Sequence, residues 1–230
     1  MTTPPFKAIG RREALFKGAL GLTTVPALLG GCGLVSTNSP FWATVASVVP
    51  QDQVAPVTRA QASALPYASV LAWFDEAPKA FLVLGEILEG RGLAWYSSNR
   101  QIIVTNGPFI VKTAGMPTDV NRVQFDRPLP QGAEVFATGI DRRADIPQKR
   151  LFDWYWRSRF TPVGRESVTI LDLTFDLAVF DERIEPIGTP GWTNRYWIDA
   201  ASGFCWKSRQ TLVPGLPSIN LEIVKPFQAA

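Results

Sequence analysis

Beyond about residue 65 the hydrophobic positions recur every second residue, in short runs broken by Gly, Pro or Asn. In "LFDWYWRSRF" Phe152, Trp154, Trp156 and Phe160 share one side, and Asp153, Tyr155, Arg157 and Arg159 the other. In "LDLTFDLAVF" Leu171, Leu173, Phe175, Leu177 and Val179 alternate with Asp172, Thr174, Asp176 and Ala178. A period of two is that of a strand with one buried and one wet face. The runs "YASVLAWF", "KAFLVLGEIL", "LAWYSS", "QIIVTN", "FIVKTA" and "VNRVQF" read as further strands, with Asn106-Gly107-Pro108 as a tight turn between two of them. The connections are too short for crossover helices, so neighbouring strands should be antiparallel.

The last hairpin, "NRYWIDA" against "FCWKSRQTL", allows a register to be chosen. A three-residue loop, Ala201-Ser202-Gly203 with Gly203 left-handed, pairs Ala200 with Phe204 and Ile198 with Trp206. It gathers Tyr196, Ile198, Phe204 and Trp206 on one face and leaves Trp197 on the polar face opposite Lys207. A four-residue loop would set Trp197 and Asp199 beside Phe204 and Trp206 and break the alternation, so the shorter loop is expected. Among the tryptophans, Trp154, Trp156 and Trp206 are then core residues, whereas Trp197 and Tyr155 point outward.

The beginning of the chain follows a different pattern. Lys7, Arg11, Arg12 and Lys17 precede an apolar stretch from Gly18 to Leu29, and small residues lead into Cys32. A basic head, a short apolar core and a small-residue cleavage site describe an export signal. The core is shorter than the roughly 20 residues a membrane span needs, and Pro26 interrupts it. Leu29-Gly30-Gly31-Cys32 resembles the lipobox of bacterial lipoproteins, in which the thiol is acylated and the chain is cut just before it. Cys32 is therefore the expected lipidation site and mature N-terminus. Arg11-Arg12 fits a twin-arginine export signal, with the general secretory route as the alternative. From Gly33 to Gln61 the chain is rich in Ser, Thr and Pro and reads as a tether, with one short helix expected over 41–49. Thr58 and Gln61 form a capping box that opens a helical turn before Leu65-Pro66. The expected organisation is a signal over 1–31, an acylated flexible tether with short helical turns over 32–64, and an antiparallel β domain over 65–230.

Composition narrows the chemistry. Lys and Arg number 23 and Asp and Glu 20, but the signal holds four of the bases and one acid, so the mature chain is neutral (19 against 19). The basic excess belongs to the signal and gives no reason to expect nucleic acid as a partner. The chain has no histidine and only two cysteines, which excludes a Ser-His-Asp triad, a Cys-His pair and a His-containing zinc site. With Cys32 acylated, Cys205 has no disulfide partner. No metal and no cofactor are expected, and no phosphate-binding glycine pattern occurs. A glycan-cleaving enzyme needs two carboxylates roughly 5 to 9.5 Å apart. Asp172 and Asp176 would lie about 13 Å apart along a strand and read as a solvated face.

The segments "LPYASVLAWFDEAPKAFLVLG" (65–85) and "NRYWIDAASGFCWKSRQTLVPGLPSINLEIVKPF" (194–227) resemble the YjbF/GfcB family, the group 4 capsule polysaccharide lipoproteins. The resemblance implies an all-β fold, an antiparallel meander forming a barrel-like or half-barrel domain. It also implies a lipid-anchored, periplasm-facing protein of a Gram-negative bacterium, encoded with exopolysaccharide or capsule export genes. No catalytic residue carries over from the family. Gly33 is not the aspartate associated with inner-membrane retention, so outer-membrane sorting is expected. The expected function is that of a non-enzymatic accessory of exopolysaccharide or capsule secretion or assembly. Its partners would be the membrane through acylated Cys32, polysaccharide-export proteins and glycan. The alternative is a carrier of an amphiphilic ligand, a lipid or lipid-linked glycan, on an apolar concave face. Glycan contact would fall to Trp197, beside Lys207 and Asp199, and to Tyr155, between Asp153 and Arg157, because sugar rings stack on exposed aromatic planes. A cation–π contact between Trp197 and Lys207 without a ligand is the competing reading.

Overall fold

A computed structural model of the 230-residue chain describes residues 57–228 except Glu76. The export signal, Cys32, the helix expected over 41–49 and most of the tether lie outside the described residues.

The described chain opens on the helix α1, Arg59–Ala64, bounded as its capping box dictates. Gln61 N–H donates to Thr58 Oγ1 (3.3 Å), and the Thr58 N–H donates back to Gln61 Oε1 (2.9 Å). The helix stops at Leu65, extended as a residue before proline must be. Twelve strands follow among the described residues: β1 Ser69–Phe74, β2 Ala80–Leu88, β3 Gly92–Ser97, β4 Ile102–Asn106, β5 Phe109–Ala114, β6 Arg122–Phe125, β7 Ile140–Ile146, β8 Leu151–Ile170, β9 Leu173–Pro186, β10 Trp192–Ile198, β11 Cys205–Gln210 and β12 Ile219–Lys225. All ladders are antiparallel. Each strand pairs with the next in sequence except β5 with β6, and β12 pairs with β1. The sheet is thus nearly closed into a barrel, with one open seam between β5 and β6. Thr113 N–H reaches across to the Val120 carbonyl at 2.8 Å, and the Phe109 and Phe125 rings meet at 5.7 Å.

Register assigns the faces. Phe109 of β5 touches Phe160 of β8 and Tyr196 of β10, with ring centroids 6.0 and 5.6 Å away. Strands so far apart in the sheet meet only across a bore, so this face is the inside. Following the ladders, the inward set includes Arg142, Trp156, Ser158, Glu182, Asn194, Tyr196, Ser208 and Leu221. The outside of β1–β4 is apolar as well: Leu71, Phe81, Val83, Ala94, Tyr96 and Val104 are buried beneath Ala62 of α1 and its flanks Val57, Leu65 and Tyr67. This double burial is why "VLAWF" and "AFLVL" are continuous apolar runs instead of alternating ones.

The long β8–β9 hairpin forms a second layer. Beyond the register shift at Pro162/Gly164 it curls over the outer face of β10–β12 and meets α1. Arg59 bonds the Asp172 carboxylate and, at 2.7 Å, the Ile170 carbonyl, while Leu171 joins the cluster under α1. The helix is therefore docked on the sheet, and the packed domain begins upstream of residue 65.

Three details of the sequence reading change. Phe152 does not share the face of Trp154, because Phe152 and Asp153 form a bulge between the Ile146–Leu151 and Ala144–Trp154 pairs. Asp153 takes a φ of +50°, and Phe152 is turned out to 66% exposure. Leu171 and Leu173 belong to the hairpin tip, where Leu171 is left-handed (φ +55°) and Leu173 is exposed. In the last hairpin, Tyr196–Ser208 and Trp197–Lys207 pair as expected, and Gly203 is left-handed at φ +72°. The loop nevertheless has four residues: Asp199 N–H donates to the Phe204 carbonyl, and Ile198 faces Cys205, not Trp206. Trp206 is the extra residue of a bulge that restores the outer register. It leaves the inward set and stacks on Phe175 at 4.4 Å.

Candidate functional site

Trp197 lies on the outer face opposite Lys207, but the β8–β9 hairpin covers it. It is 8% exposed, packed with Val168, Ile170, Leu177 and Val179, and its indole N–H donates to Glu166 Oε2 at 2.8 Å. Lys207 Nζ sits 5.2 Å from its ring, so the cation–π contact is present and the ring is not an open platform. Tyr155 is half-buried on the outer face. Its hydroxyl donates to Asp141 Oδ1 at 2.6 Å, which raises its pKa, and the Arg143 guanidinium stands 5.4 Å from its ring. Asp141 is held below the usual carboxylate range by its bonds from Arg157 and Tyr155. Tyr155 and Trp197 do not form one site.

Cys205 is the free thiol among the described residues. Burial pushes it up to about 12, and its sulfur donates to the Lys207 carbonyl at 3.2 Å, so it is an inert packing residue.

The bore holds an ion pair. Arg142 and Glu182, 4% and 0% exposed, are in direct contact, and Glu182 Oε2 also accepts from Tyr196 Oη (2.7 Å) and Asn194 Nδ2 (3.2 Å). The Arg142 guanidinium lies 4.2 Å from the Phe109 ring and 5.5 Å from Phe125, beside the seam. Burial, then Glu182, raises Tyr196 far above its ordinary value, so it is a fixed donor. Phe109, Phe136, Phe160 and Phe180 pack around this group.

A more accessible constellation lies outside, at the end of the barrel remote from α1. There β1, β11 and β12 frame a depression of about 780 Å³ lined by Trp73, Phe74, Asp75, Arg209, Pro217 and Asn220. Trp73 and Asn220 are cross-strand partners, as are Asn220 and Arg209, so alternation brings all three to one face. Asp75 leaves β1 with a φ of +30° and is held in place: its N–H donates to the Ser218 carbonyl, and its carboxylate accepts from Ser218 N–H at 3.2 Å and Arg209 Nη2 at 3.1 Å. Lys79 Nζ lies 4.2 Å from the Trp73 ring and is tied to Glu222 at 2.6 Å, with Lys207 on the other Glu222 oxygen at 3.1 Å. The available signal was "WFDEAPK": two aromatics run into an acidic, Pro-containing turn at a strand end. Sequence could not join it to Arg209 and Asn220, because that needs the ladder between the first and last strands. Among the described residues no group of three His, Cys, Asp or Glu could hold a metal, and no helix is long and apolar enough to cross a membrane.

The architecture is that of a barrel-like antiparallel β domain whose bore is packed and whose polar–aromatic surface lies on its outer rim. The chain belongs to the YjbF family, described as group 4 capsule polysaccharide lipoprotein GfcB, YjbF, whose model matches residues 42–224. It is 27% identical over 173 residues to the uncharacterized lipoprotein GfcB of Escherichia coli (strain K12), covering 72% of this chain and 79% of that protein. The crystal structure of the hypothetical lipoprotein YmcC from Escherichia coli (K12) shares the fold: the TM-score is 0.64 at 23% identity, over 75% of this chain and 91% of that one.

Proposed function

We propose that this protein is a lipoprotein anchored through acylated Cys32 in the outer membrane, facing the periplasm, and a non-enzymatic accessory of exopolysaccharide or capsule secretion or assembly. The match of residues 42–224 to a family described as capsule polysaccharide lipoproteins carries this reading. The lipobox-like Leu29-Gly30-Gly31-Cys32 supports the anchor. The packed bore favours an accessory over an amphiphile carrier.

The test is deletion of the gene in its source organism and complementation with wild type or Cys32→Ser. Surface polysaccharide and membrane fractionation are the readouts. Deletion should lower surface polysaccharide, and wild type should restore it from the outer-membrane fraction. Several acyl chains at ~0.8 kcal/mol per buried methylene anchor stably, so Cys32→Ser should be soluble or stall as precursor. Unchanged polysaccharide in the deletion strain would sink the function, and a membrane-bound, normally processed Cys32→Ser would sink the anchor.

A further inference from the structure

We propose that the depression framed by β1, β11 and β12 binds sugar rings of a polysaccharide, and that Asp75, Arg209 and Asn220 hold their hydroxyls against Trp73 and Phe74. The identity of the polymer rests on the function proposed above; the site rests on its own geometry.

Sugars present apolar C–H faces and a rim of hydroxyls that both donate and accept, so a site for them combines aromatic surface with paired donors and acceptors. The lining supplies both kinds, and Lys79, 4.2 Å from the Trp73 ring and half-exposed, must swing aside for a sugar to stack there. Asp75 and Arg209 are 3.1 Å apart, an acceptor and a donor side by side and fixed before any ligand arrives. Asn220 is 7% exposed, and its amide nitrogen reaches only the Trp73 carbonyl, at 3.4 Å. Among the described residues its side-chain oxygen accepts no hydrogen bond. The oxygen is reached by solvent and can exchange water for a ligand hydroxyl. The left-handed Asp75 is a departure from economy, because a non-glycine residue at φ +30° is strained and the Ser218 and Arg209 bonds hold it there.

The volume, about 780 Å³, falls within the roughly 300–1,000 Å³ of ligand sites. The depression is open to solvent along the rim, which suits a chain that enters and leaves more than a small molecule that must be enclosed. Its one carboxylate and one guanidinium balance, so the fit is to hydroxyl-bearing sugars, not to a multiply charged phosphate polymer. It also lies at the end of the sheet away from α1.

The test uses the full-length acylated protein in detergent, titrated with oligosaccharides released by mild acid from the source organism's own exopolysaccharide. Affinity is read by calorimetry and the fold by melting. Arg209→Ala and Asp75→Asn should each weaken binding about tenfold or more, the size of a lost hydrogen bond to a charged group, while Arg165→Ala, in an exposed ion pair with Asp176 on the β8–β9 hairpin, should leave it unchanged. If Arg209→Ala melts early, Asp75→Asn, which keeps the side-chain shape, decides. Wild-type affinity in both variants, or no binding by the wild type, overturns the site. A deletion strain that loses surface polysaccharide while the protein binds no oligosaccharide sinks the site and leaves the accessory role. Binding without any cellular phenotype does the reverse.

Discussion

At the scale of single residues, the bore is held by charges that water cannot reach. Arg142 and Glu182 are desolvated together and tolerated because Tyr196 and Asn194 use the remaining carboxylate capacity. Glu182→Gln strands a guanidinium between two phenyl rings and should destabilise the domain by about 3–5 kcal/mol, measured by denaturant unfolding. An Arg142→Met, Glu182→Gln double variant, which keeps an acceptor for Tyr196 and Asn194, should recover most of that loss. Gly203 makes a different demand: its φ is +72°, and a Cβ there would collide with the backbone of Gly132 and Ala133. Gly203→Ala should cost more than about 1 kcal/mol, read as a lower melting temperature. Trp197 shows where residue-level reading stops. Alternation placed it on the outer face and opposite Lys207, both as found. Period two says which face a residue takes, not whether another layer covers that face, and the cover comes from residues 163–178 of the same chain. Trp197→Ala should therefore cost about 3–5 kcal/mol, as a core truncation does.

At the scale of elements, the hairpin and helix depend on each other. Arg59 holds Asp172 and the Ile170 carbonyl, and Leu171 fills the apolar layer under α1. Arg59→Ala should leave global unfolding nearly unchanged, since the pair is partly exposed. Amide exchange should rise in 59–64 and 168–173 and nowhere else. Faster exchange throughout the barrel would mean that the helix is integral to the closed sheet. Strand existence, antiparallel pairing and the capping box were legible because each depends on neighbours within a few residues. The bulges at Asp153 and Trp206 were not: each is an unpaired residue inserted to reconcile a turn with a ladder, and no local pattern marks it. The candidate depression was half legible, its aromatic wall in one turn and its polar wall some 130 residues away.

At the scale of the molecule, stability should fall on the alkaline side. The fold raises Cys205 from 9.0 and Tyr96 from 10.0 to about 12, with burial the main cause in both. A group raised by folding releases its proton first in the unfolded chain, so its contribution is intact below the unfolded value. It is lost as pH climbs from about 9 to about 12. Denaturant midpoints should be flat through neutrality, where no histidine titrates, and drop above pH 9; Cys205→Ala should blunt the drop. Reductant should leave the melting curve of the whole protein unmoved, given the lone free thiol among the described residues.

The ring of strands also sets how the chain must find its shape. Among the described residues, every ladder but one joins strands consecutive in the chain. The exception, β1 with β12, joins residues at least 219 − 74 = 145 positions apart (Phe74 and Ile219) and as many as 225 − 69 = 156 (Ser69 and Lys225). That pairing alone must close a long loop before any contact rewards it, so it is the natural kinetic bottleneck of folding. The seam, by contrast, falls where the polypeptide is continuous, in the short link between β5 and β6. Joining Lys225 to Ser69 through a short linker and opening the chain within 115–121 would keep every ladder and make all of them local. Such a circular permutant should refold faster than the natural order but melt lower, because it lacks α1 and uncovers the apolar outer face of β1–β4.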